Sequence, residues 1–236
     1  MSVLVVTGTG TDVGKTIATA ALAACAGGGV AVVKPAQTGV AVHEAGDLAE
    51  VWRLSGCTDL HEYARYPDPL SPDRAARRSG LPALGLEDVT TRVAALAQTR
   101  ALVLIEGAGG LLVPFDHGPD RWTLADLARA LAAPVLLVTA AALGTINNTL
   151  LTVRALDAAE LTFAGIVIGS WPAEPGLAER CNAHDLAIMA PDASLAGVLP
   201  AGMPTARDFR AAARRALAPR FGGTFETPAF LAGLTV

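Results

Sequence analysis

Short apolar runs and amphipathic stretches alternate along this chain of 236 residues. The apolar runs are rich in Val, Ile and Leu, do not alternate with polar residues, and span residues 3–7, 30–34, 101–105, 134–139, 164–168 and 195–199. Such runs are typical of parallel strands that are buried on both faces. Stretches with helical spacing occupy residues 15–26, 86–97, 124–132, 147–159 and 176–187. This alternation predicts an α/β fold with a doubly wound, mostly parallel sheet, which binds ligands at the carboxyl ends of its strands.

The domain organisation follows from the length of the chain and from what interrupts the pattern. A chain of 236 residues can bury a sizeable core in one domain, and neither an internal repeat nor a low-complexity linker divides it. Residues 66–85 contain several prolines and predict a long surface connection or a lid. We therefore expect residues 1–236 to form a single domain.

Composition and charge argue against several classes of protein. Apolar residues make up 52% of the chain and charged residues only 17%, which argues against intrinsic disorder. A net charge of −4 gives no electrostatic reason to expect nucleic acid or an anionic membrane as a partner. The longest apolar stretches, at about nine residues, are too short to span a bilayer. We expect small-molecule substrates instead.

The cysteines and the first residues both predict a cytoplasmic protein. Cys25, Cys57 and Cys181 lie far apart and form no CxxC pair, so we expect reduced, mostly buried thiols. The chain runs directly into a strand, without a basic and cleavable leader.

Two kinds of catalytic site find no support in the sequence. The histidines share no metal-ligand spacing, which predicts surface positions for His43, His61, His117 and His184. The Gly-x-Ser-x-Gly turn of many serine hydrolases is absent.

A glycine-rich segment, GTGTDVGKT at residues 8–16, follows the first predicted strand and opens the first predicted helix. Glycines allow a backbone that wraps around phosphate, and the helix N-terminus adds partial positive charge. Lys15 would reach the outer phosphates, and the Thr16 hydroxyl would bind Mg²⁺. Five residues rather than the usual four separate Gly8 from Gly14, and the alternative interpretation is a turn that only starts a helix.

Three further side chains are candidates for chemistry, each with a structural alternative. Lys34 ends the second predicted strand, where a buried lysine needs an anionic partner unless it extends to solvent at the sheet edge. Glu106 ends the third predicted strand, where P-loop proteins place an Mg²⁺ ligand, although a turn carboxylate is the alternative. Asp47 follows a glycine at a helix start, so by position alone it is an N-cap.

Taken together, four segments resemble the dethiobiotin synthetase family over roughly residues 3–202. The segments are TGTGTDVGKT at residues 7–16, Lys34-Pro35 with Thr38-Gly39, Glu106-Gly107-Ala108-Gly109-Gly110, and Leu143-Gly144-Thr145-Ile146-Asn147. The phosphate loop alone is common to many families, whereas the second and third segments in this order are specific. The additional residue in the phosphate loop is itself a feature of that family.

The resemblance implies a P-loop enzyme that uses ATP, or another nucleoside triphosphate, with Mg²⁺. Its substrates would be 7,8-diaminononanoate and CO₂. One amine takes up CO₂ as a carbamate, the carbamate attacks the γ-phosphate, and the other amine displaces phosphate to close a ureido ring. This chemistry requires positioning and charge neutralisation rather than a covalent enzyme intermediate. Lys15 and Lys34 would be the catalytic cations.

The resemblance also assigns site residues by position. The nucleotide would contact Asp12, Val13, Gly14, Lys15, Thr16, Ile17, Asp47, Glu106, Gly107, Ala108 and Gly109. The metal ligands would be Thr16, Asp47 and Glu106. The substrate would contact Thr38, Leu143, Gly144, Thr145, Ile146 and Asn147, the last five from a neighbouring subunit, which implies a homodimer.

The sequence departs from the family where the nucleotide base binds. Many members recognise adenine with an Asn-Asp pair, but Gly169-Ser170-Trp171 stands at that position here. Backbone groups of Gly169, Ser170, Pro200, Ala201 and Gly202 would then hold the base. This departure leaves the base preference open.

Two alternatives belong to the same superfamily but to other functional classes. A switch ATPase of the MinD/ParA type carries an additional lysine in its phosphate loop, where this chain has Gly10, and often ends in an amphipathic membrane helix. Prolines and a Gly-Gly pair interrupt residues 216–236 here. A cobyrinate amidation enzyme needs a glutaminase domain, for which this chain is too short.

Overall fold

A parallel sheet forms the centre of the part of the chain that the computed structural model describes, residues 2–118, 121–189 and 195–235. Its strands are β1 (Val3–Gly8), β2 (Val30–Thr38), β3 (Leu60–Tyr66), β4 (Leu102–Gly110), β5 (Val135–Thr139), β6 (Phe163–Trp171) and β7 (Leu195–Pro200). Their spatial order is β3-β2-β4-β1-β5-β6-β7, and all neighbouring strands are parallel. The predicted α/β fold is confirmed.

Helices connect the strands and cover both faces of the sheet. They are α1 (Lys15–Cys25), α2 (Asp47–Ser55), α3 (Pro72–Ser79), α4 (Leu86–Ala97), α5 (Leu124–Ala130), α6 (Thr145–Ala158), α7 (Leu177–Ile188), α8 (Phe209–Ala216) and α9 (Thr227–Ala232). Two short 3₁₀ turns span Met203–Thr205 and Pro219–Phe221. Among these helices of the described residues, none has the length and apolar character needed to cross a membrane.

The core lies on both sides of the sheet because successive strand residues point to opposite faces. In β1, Leu4 and Val6 pack with the apolar residues of α1, α2 and α8. Val3 and Val5 pack on the other side with α3, α4 and α5. A smaller apolar cluster joins β6 and β7 to α7 and α9. This packing explains why the strands appear in the sequence as continuous apolar runs.

Three predicted strand ends are wrong, because β2, β4 and β6 continue past their apolar runs, β6 as far as Trp171. β2 extends to Thr38 and stays paired with β3, whose half-buried edge pattern gave no apolar run. β4 extends to Gly110, which pairs with Gly8. Lys34 and Glu106 therefore lie inside strands rather than at their ends.

The segment at residues 66–85 is more ordered than a surface connection. It contains α3, which begins with Pro72 and ends before Gly80, whose φ of 69° suits glycine. Ala75 and Ala76 bury one side of this helix against the sheet. Leu70 and Ser71, just before α3, line the main cavity of the protein. Residues 69–72 of the segment thus form part of the wall of that cavity.

Candidate active site

The carboxyl ends of the central strands border a cavity of about 750 Å³. Most of the predicted phosphate, metal and substrate residues line it: Asp12, Gly14, Lys15, Thr16, Lys34, Thr38, Asp47, Glu106, Ala108 and Gly109. Val13 and Ile17 do not, since their side chains pack against the core on the α1 side. Gly107 also stands outside the lining, with its carbonyl turned to Lys34. The cavity is large enough for a drug-sized ligand.

The glycine-rich loop between β1 and α1 turns sharply through the left-handed backbone region. Asp12 has a φ of 58° and Gly14, the N-cap of α1, has a φ of 96°. Lys15 is the first residue of α1, and its Nζ donates to the Gly10 carbonyl at 2.7 Å. Burial and the nearby Lys34 charge lower the pKa of Lys15. A phosphate group would replace the Gly10 carbonyl as its partner, since the amine has few other contacts.

Lys34 lies at the centre of a buried polar cluster. Its Nζ is 2.5 Å from Asp47 Oδ2 and 2.8 Å from Glu106 Oε1, and it donates to the Gly107 carbonyl at 3.1 Å. The Thr16 hydroxyl donates to the same Glu106 oxygen at 2.9 Å. Burial disfavours the ammonium, but the two carboxylates outweigh it and raise the pKa of Lys34. Lys34 therefore stays charged at neutral pH.

This cluster decides between the interpretations left open by the sequence. Lys34 is 3% exposed, so it does not extend to solvent at the sheet edge. Glu106 is fully buried and caps no turn. Gly46 is the N-cap of α2, and Asp47 is the first helical residue. The N-cap interpretation of Asp47 is wrong, because its carboxylate turns to Lys34 instead.

The side-chain oxygen atoms beside the phosphate loop are suitable ligands for a divalent cation. Glu106 Oε2 is buried without a hydrogen-bond partner, which is costly for a carboxylate unless a ligand occupies that side. Within residues 2–118, 121–189 and 195–235, no group of three or more His, Cys, Asp or Glu side chains could hold a metal alone. A Mg²⁺ ion here would rely on Thr16, Asp47, Glu106 and phosphate oxygens, the oxygen ligands it prefers.

Gln37 is a residue of the site that sequence reasoning missed. Its Oε1 accepts the backbone N–H of Asp47 at 2.8 Å, and the side chain is almost fully buried in the cavity wall. A Cβ at Gly46 would lie only 2.6 Å from the same oxygen. Gln37 thereby holds the first turn of α2 against β2. The only signal was its position inside the Lys-Pro-x-x-Thr-Gly segment.

The predicted base-binding groups lie together, outside the lining of the main cavity. The N–H of Ala201 donates to the Trp171 carbonyl at 2.8 Å, so the turn at 200–202 stands beside the end of β6. Gly169 lies directly against the phosphate loop, where a Cβ would meet the Val13 carbonyl oxygen at 1.9 Å. Ser170 is exposed. A side chain at position 169 is therefore excluded in this arrangement.

The predicted substrate segment at 143–147 also lies outside the cavity lining. It forms the N-terminus of α6, with Gly144 as the N-cap at a φ of 94°. Leu143 is 87% exposed, whereas Thr145 is buried. Within one protomer, the structure does not bring this segment to the cavity residues.

The remaining sequence expectations are partly met. All three cysteines are free, but each is half-buried rather than fully buried. His61 is half-buried, with Nε2 2.7 Å from Asp59 Oδ1. His184 is half-buried, with a buried Nε2 that has no hydrogen-bond partner, so its predicted surface position is met only in part.

Three features define the class of this protein: β1 ends in a glycine-rich loop, α1 begins with Lys-Thr, and the adjacent strand β4 carries a buried carboxylate. Together they are the features of a P-loop protein that binds nucleoside triphosphates. The family described as "AAA domain" matches residues 2–204. A solved ATP complex of Cyanothece McdA has a TM-score of 0.56 at 15% identity, covering 100% of this chain and 98% of that chain. The structure of MinD from Aquifex aeolicus has a TM-score of 0.53 at 14% identity, again covering 100% of this chain and 98% of that chain. At these identities, both show a shared fold only.

Similarity in sequence is far stronger to proteins named ATP-dependent dethiobiotin synthetase BioD. The protein of that name from Rhodococcus jostii is 62% identical, covering 86% of this chain and 87% of its own length. Those from Frankia casuarinae and Streptomyces avermitilis are 57% and 56% identical, each covering 98% of both chains. The chain belongs to the ATP-dependent dethiobiotin synthetase family.

Proposed function

We propose that this protein is an ATP-dependent dethiobiotin synthetase of biotin biosynthesis. It carboxylates 7,8-diaminononanoate with CO₂ and closes the ureido ring, with release of ADP and phosphate. The observation that carries the proposal is the buried Lys34 cluster beside the phosphate loop, in one cavity with Lys15. Family membership supports the same activity. Nothing in this chemistry needs a nucleophile from the protein.

The nucleotide would bind by its phosphates in the loop at residues 8–16. The helix N-terminus at Gly14 presents partial positive charge there, and Lys15 points into the same space. Thr38 lines the opposite side of the cavity, where its hydroxyl would contact the diamine. The two reactants would therefore meet over Lys34.

The reaction follows three bond changes. One amine of diaminononanoate attacks CO₂ and loses a proton, which gives a carbamate. A carbamate oxygen forms a bond to the γ-phosphorus while the bond to the ADP oxygen breaks. The second amine then attacks the carbamoyl carbon and expels inorganic phosphate, which closes the five-membered ring. Each step moves negative charge between carbamate, phosphoryl and phosphate oxygens.

Lys15 and Lys34 would stabilise that moving charge. Fixed cations in a site shielded from water act on the transition state without reorganising during the reaction. Lys34 is held in place by two carboxylates and a carbonyl, so its position is set before substrate arrives. Holding carbamate and phosphoryl group together also removes most of the entropic barrier.

Mg²⁺ would complete the charge balance of the site. Lys15, Lys34, Asp47 and Glu106 line the same cavity, so these four side chains together offer no net positive charge to a triphosphate. Thr16, Asp47 and Glu106 would hold the ion, with the unpartnered Glu106 Oε2 as its natural ligand. A bound Mg²⁺ neutralises phosphate oxygens and favours in-line attack.

The substrate carboxylate would be bound by a second copy of this chain. A free helix N-terminus is suited to an anion, and the exposed α6 start at residues 143–147 lies outside its own cavity. A homodimer would bring it to the partner's cavity. In this proposal residues 1–236 form one domain that acts in the cytoplasm.

One assay tests the activity. Protein is incubated with diaminononanoate, bicarbonate, Mg²⁺ and ATP, and dethiobiotin is measured by mass together with released phosphate. Both products should require diamine and CO₂, because their carbamate is the nucleophile. Lys15→Ala is the inactive control. Rapid ATP hydrolysis that ignores the diamine would contradict the proposal and favour a switch ATPase.

A further inference from the structure

Four threonine hydroxyls join the phosphate loop to the start of α6. We refer to Thr9, Thr139, Thr145 and Thr149 as the threonine cluster. Thr139 Oγ1 lies 2.6 Å from Thr145 Oγ1, 2.9 Å from Thr149 Oγ1 and 3.3 Å from Thr9 Oγ1. Thr139 and Thr149 are fully buried, and Thr145 is 4% exposed. Thr139 is the centre of this cluster.

The direction of these hydrogen bonds follows from the single proton that each hydroxyl carries. Thr145 donates its proton to the Ala140 carbonyl at 2.7 Å, so it can only accept from Thr139. Thr139 has then used its own proton and must accept from Thr149 and from Thr9. This arrangement gives every hydroxyl of the cluster a hydrogen-bond partner.

Two buried threonines, together with the half-buried Ile146, attach the first half of α6. The buried residues of this helix are Thr145, Thr149 and, two turns later, Leu156. Leu150 and Leu151 are 38% and 59% exposed. Within the described residues, the fully or almost fully buried side chains of the helix start are thus the two threonines of the cluster.

A second polar contact holds the loop that precedes α6. Asn182 of α7 is almost fully buried, and its Nδ2 donates to the carbonyls of Ala141 and Ala142 at 2.8 and 3.1 Å. The segment at residues 140–149 is thus fixed from β5 by hydroxyls and from α7 by an amide. Leu143, just before α6, is nevertheless 87% exposed.

We propose that Thr139 is a positioning residue that fixes the α6 N-terminus for the carboxylate of the substrate in the partner's site. The inference rests on the proposed function, which assigns residues 143–147 to that carboxylate. The phosphate loop does not depend on Thr139 to the same degree, because the Thr9 N–H donates to the Val138 carbonyl at 3.0 Å. Loss of the Thr139 hydroxyl should disturb diamine binding and leave nucleotide binding intact.

The test compares isosteric variants in the complete protein. Thr139→Val keeps the shape but leaves Thr149 without an acceptor, and Thr149→Val is a milder second variant. Thr139→Ser restores the hydroxyl. Thr152→Val is the matched control, since Thr152 lies on α6 and donates only to the Asn148 carbonyl. Amide hydrogen exchange of residues 140–149, the KM for diaminononanoate and the Kd for ATP are measured for each.

Thr139→Val and Thr149→Val should accelerate exchange at residues 140–149, with little change at residues 8–16. The KM for the diamine should rise about three- to tenfold, the effect of one weakened hydrogen-bonded contact, while kcat and the Kd for ATP stay within about twofold. Thr139→Ser and Thr152→Val should resemble the wild type.

Unchanged exchange in both valine variants would overturn the inference, because the cluster would then not order the helix start. Faster exchange with an unchanged KM would also overturn it, since the segment would not position the substrate. A wild-type protein that makes no dethiobiotin would refute the proposed function, and exchange would still decide whether the cluster orders the segment.

Discussion

Lys34 is the residue whose substitution should be tolerated least, because its ammonium group is buried between two carboxylates. A buried ammonium between two carboxylates is stable only as a set, because removing one partner leaves an uncompensated charge in a low-dielectric environment. The same set holds an ammonium group, balanced by two carboxylates, next to the phosphate loop. Effects on folding and on catalysis must therefore be separated in any experiment on this residue.

Lys34→Ala should lower kcat by about a hundredfold or more, since it removes a cation that stabilises charge at the transferred phosphoryl group. It should also lower stability by about 3–5 kcal/mol, the typical cost of a buried charge that loses its partner. Turnover and urea unfolding are measured on the same preparations. The double variant Lys34→Ala/Glu106→Gln should recover stability but not turnover. A loss of turnover below about threefold would show that Lys34 is only structural.

Glu106→Gln should retain the fold and raise the Mg²⁺ concentration needed for half-maximal turnover. The amide keeps the shape and can still accept from Lys34, but a neutral oxygen is a weaker ligand for a hard cation. Titrating Mg²⁺ at fixed ATP measures the effect, with the exposed Glu87→Gln as the matched control. Wild-type behaviour at limiting Mg²⁺ would remove Glu106 from the ligand set.

For single residues, the sequence predicts which charged side chains belong to the site, but it does not predict which of them form ion pairs with each other. Lys34 and Glu106 are recognisable because a charged residue beside an apolar run needs a partner. The contact between Lys34 and Asp47 depends on the start of α2 facing β2, which the local pattern around Asp47 does not encode. Gln37 was not predicted for the same reason, since its side chain accepts a hydrogen bond from the first residue of α2.

The phosphate loop and the end of β6 form a single packed unit at the level of elements. Their backbones touch at Gly14 and Gly169, where a Cβ on either residue would lie within 2.5 Å of a backbone oxygen. The position of the phosphate loop is thus set partly by an element that is distant in the sequence.

Gly169→Ala should weaken the binding of every nucleoside triphosphate by about tenfold or more. The added methyl group cannot coexist with the Val13 carbonyl at 1.9 Å, so the loop must shift from its phosphate-binding conformation. Gly85→Ala is the matched control, because Gly85 lies before α4 with a φ of −82° and a Cβ there meets no atom within 4 Å. Dissociation constants from calorimetry provide the comparison. Equal affinities for the two variants would show that the contact does not support the loop.

The same geometry predicts weak discrimination between bases. Without a side chain at position 169, recognition is left to backbone groups and the Ser170 hydroxyl, which can adapt to more than one base edge. Most of the binding energy would come from the triphosphate, which all nucleotides share. ATP, GTP, CTP and UTP should therefore bind with similar dissociation constants and support turnover. A preference for ATP of a thousandfold, about 4 kcal/mol, would mean that other residues recognise adenine.

Strands with a continuous apolar run were predictable, including the edge strand β7, whereas the edge strand β3 was not. β1 and β5 are buried on both faces, so their sequences show a strand without ambiguity. β3 is half-buried along most of its length, and its polar residues concealed it. Missing β3 led to the short prediction for β2 and to the description of residues 66–85 as a surface connection.

For the whole molecule, the proposed dimer predicts that each active site is built from two chains. Lys15→Ala inactivates the site of its own chain, whereas Asn147→Asp places a negative charge at the exposed α6 start that the partner would use. Each variant alone should be nearly inactive. Mixed after reversible dissociation, they should recover about one quarter of wild-type turnover, because half of the dimers contain one intact site. Activity that stays at the level of the separate variants would contradict a shared site.

The contact between Gly169 and the phosphate loop also limits the order in which mutations can accumulate. A lineage that gains an adenine-recognising side chain at position 169 in one step would lose its phosphate site, because the new Cβ displaces the Val13 carbonyl. A permissive change that moves the end of β6 outward has to come first, and it has no selective advantage alone. Position 170 is exposed and faces no such barrier. Recognition of the base should therefore diversify through position 170 and the turn at 200–202, while position 169 stays glycine.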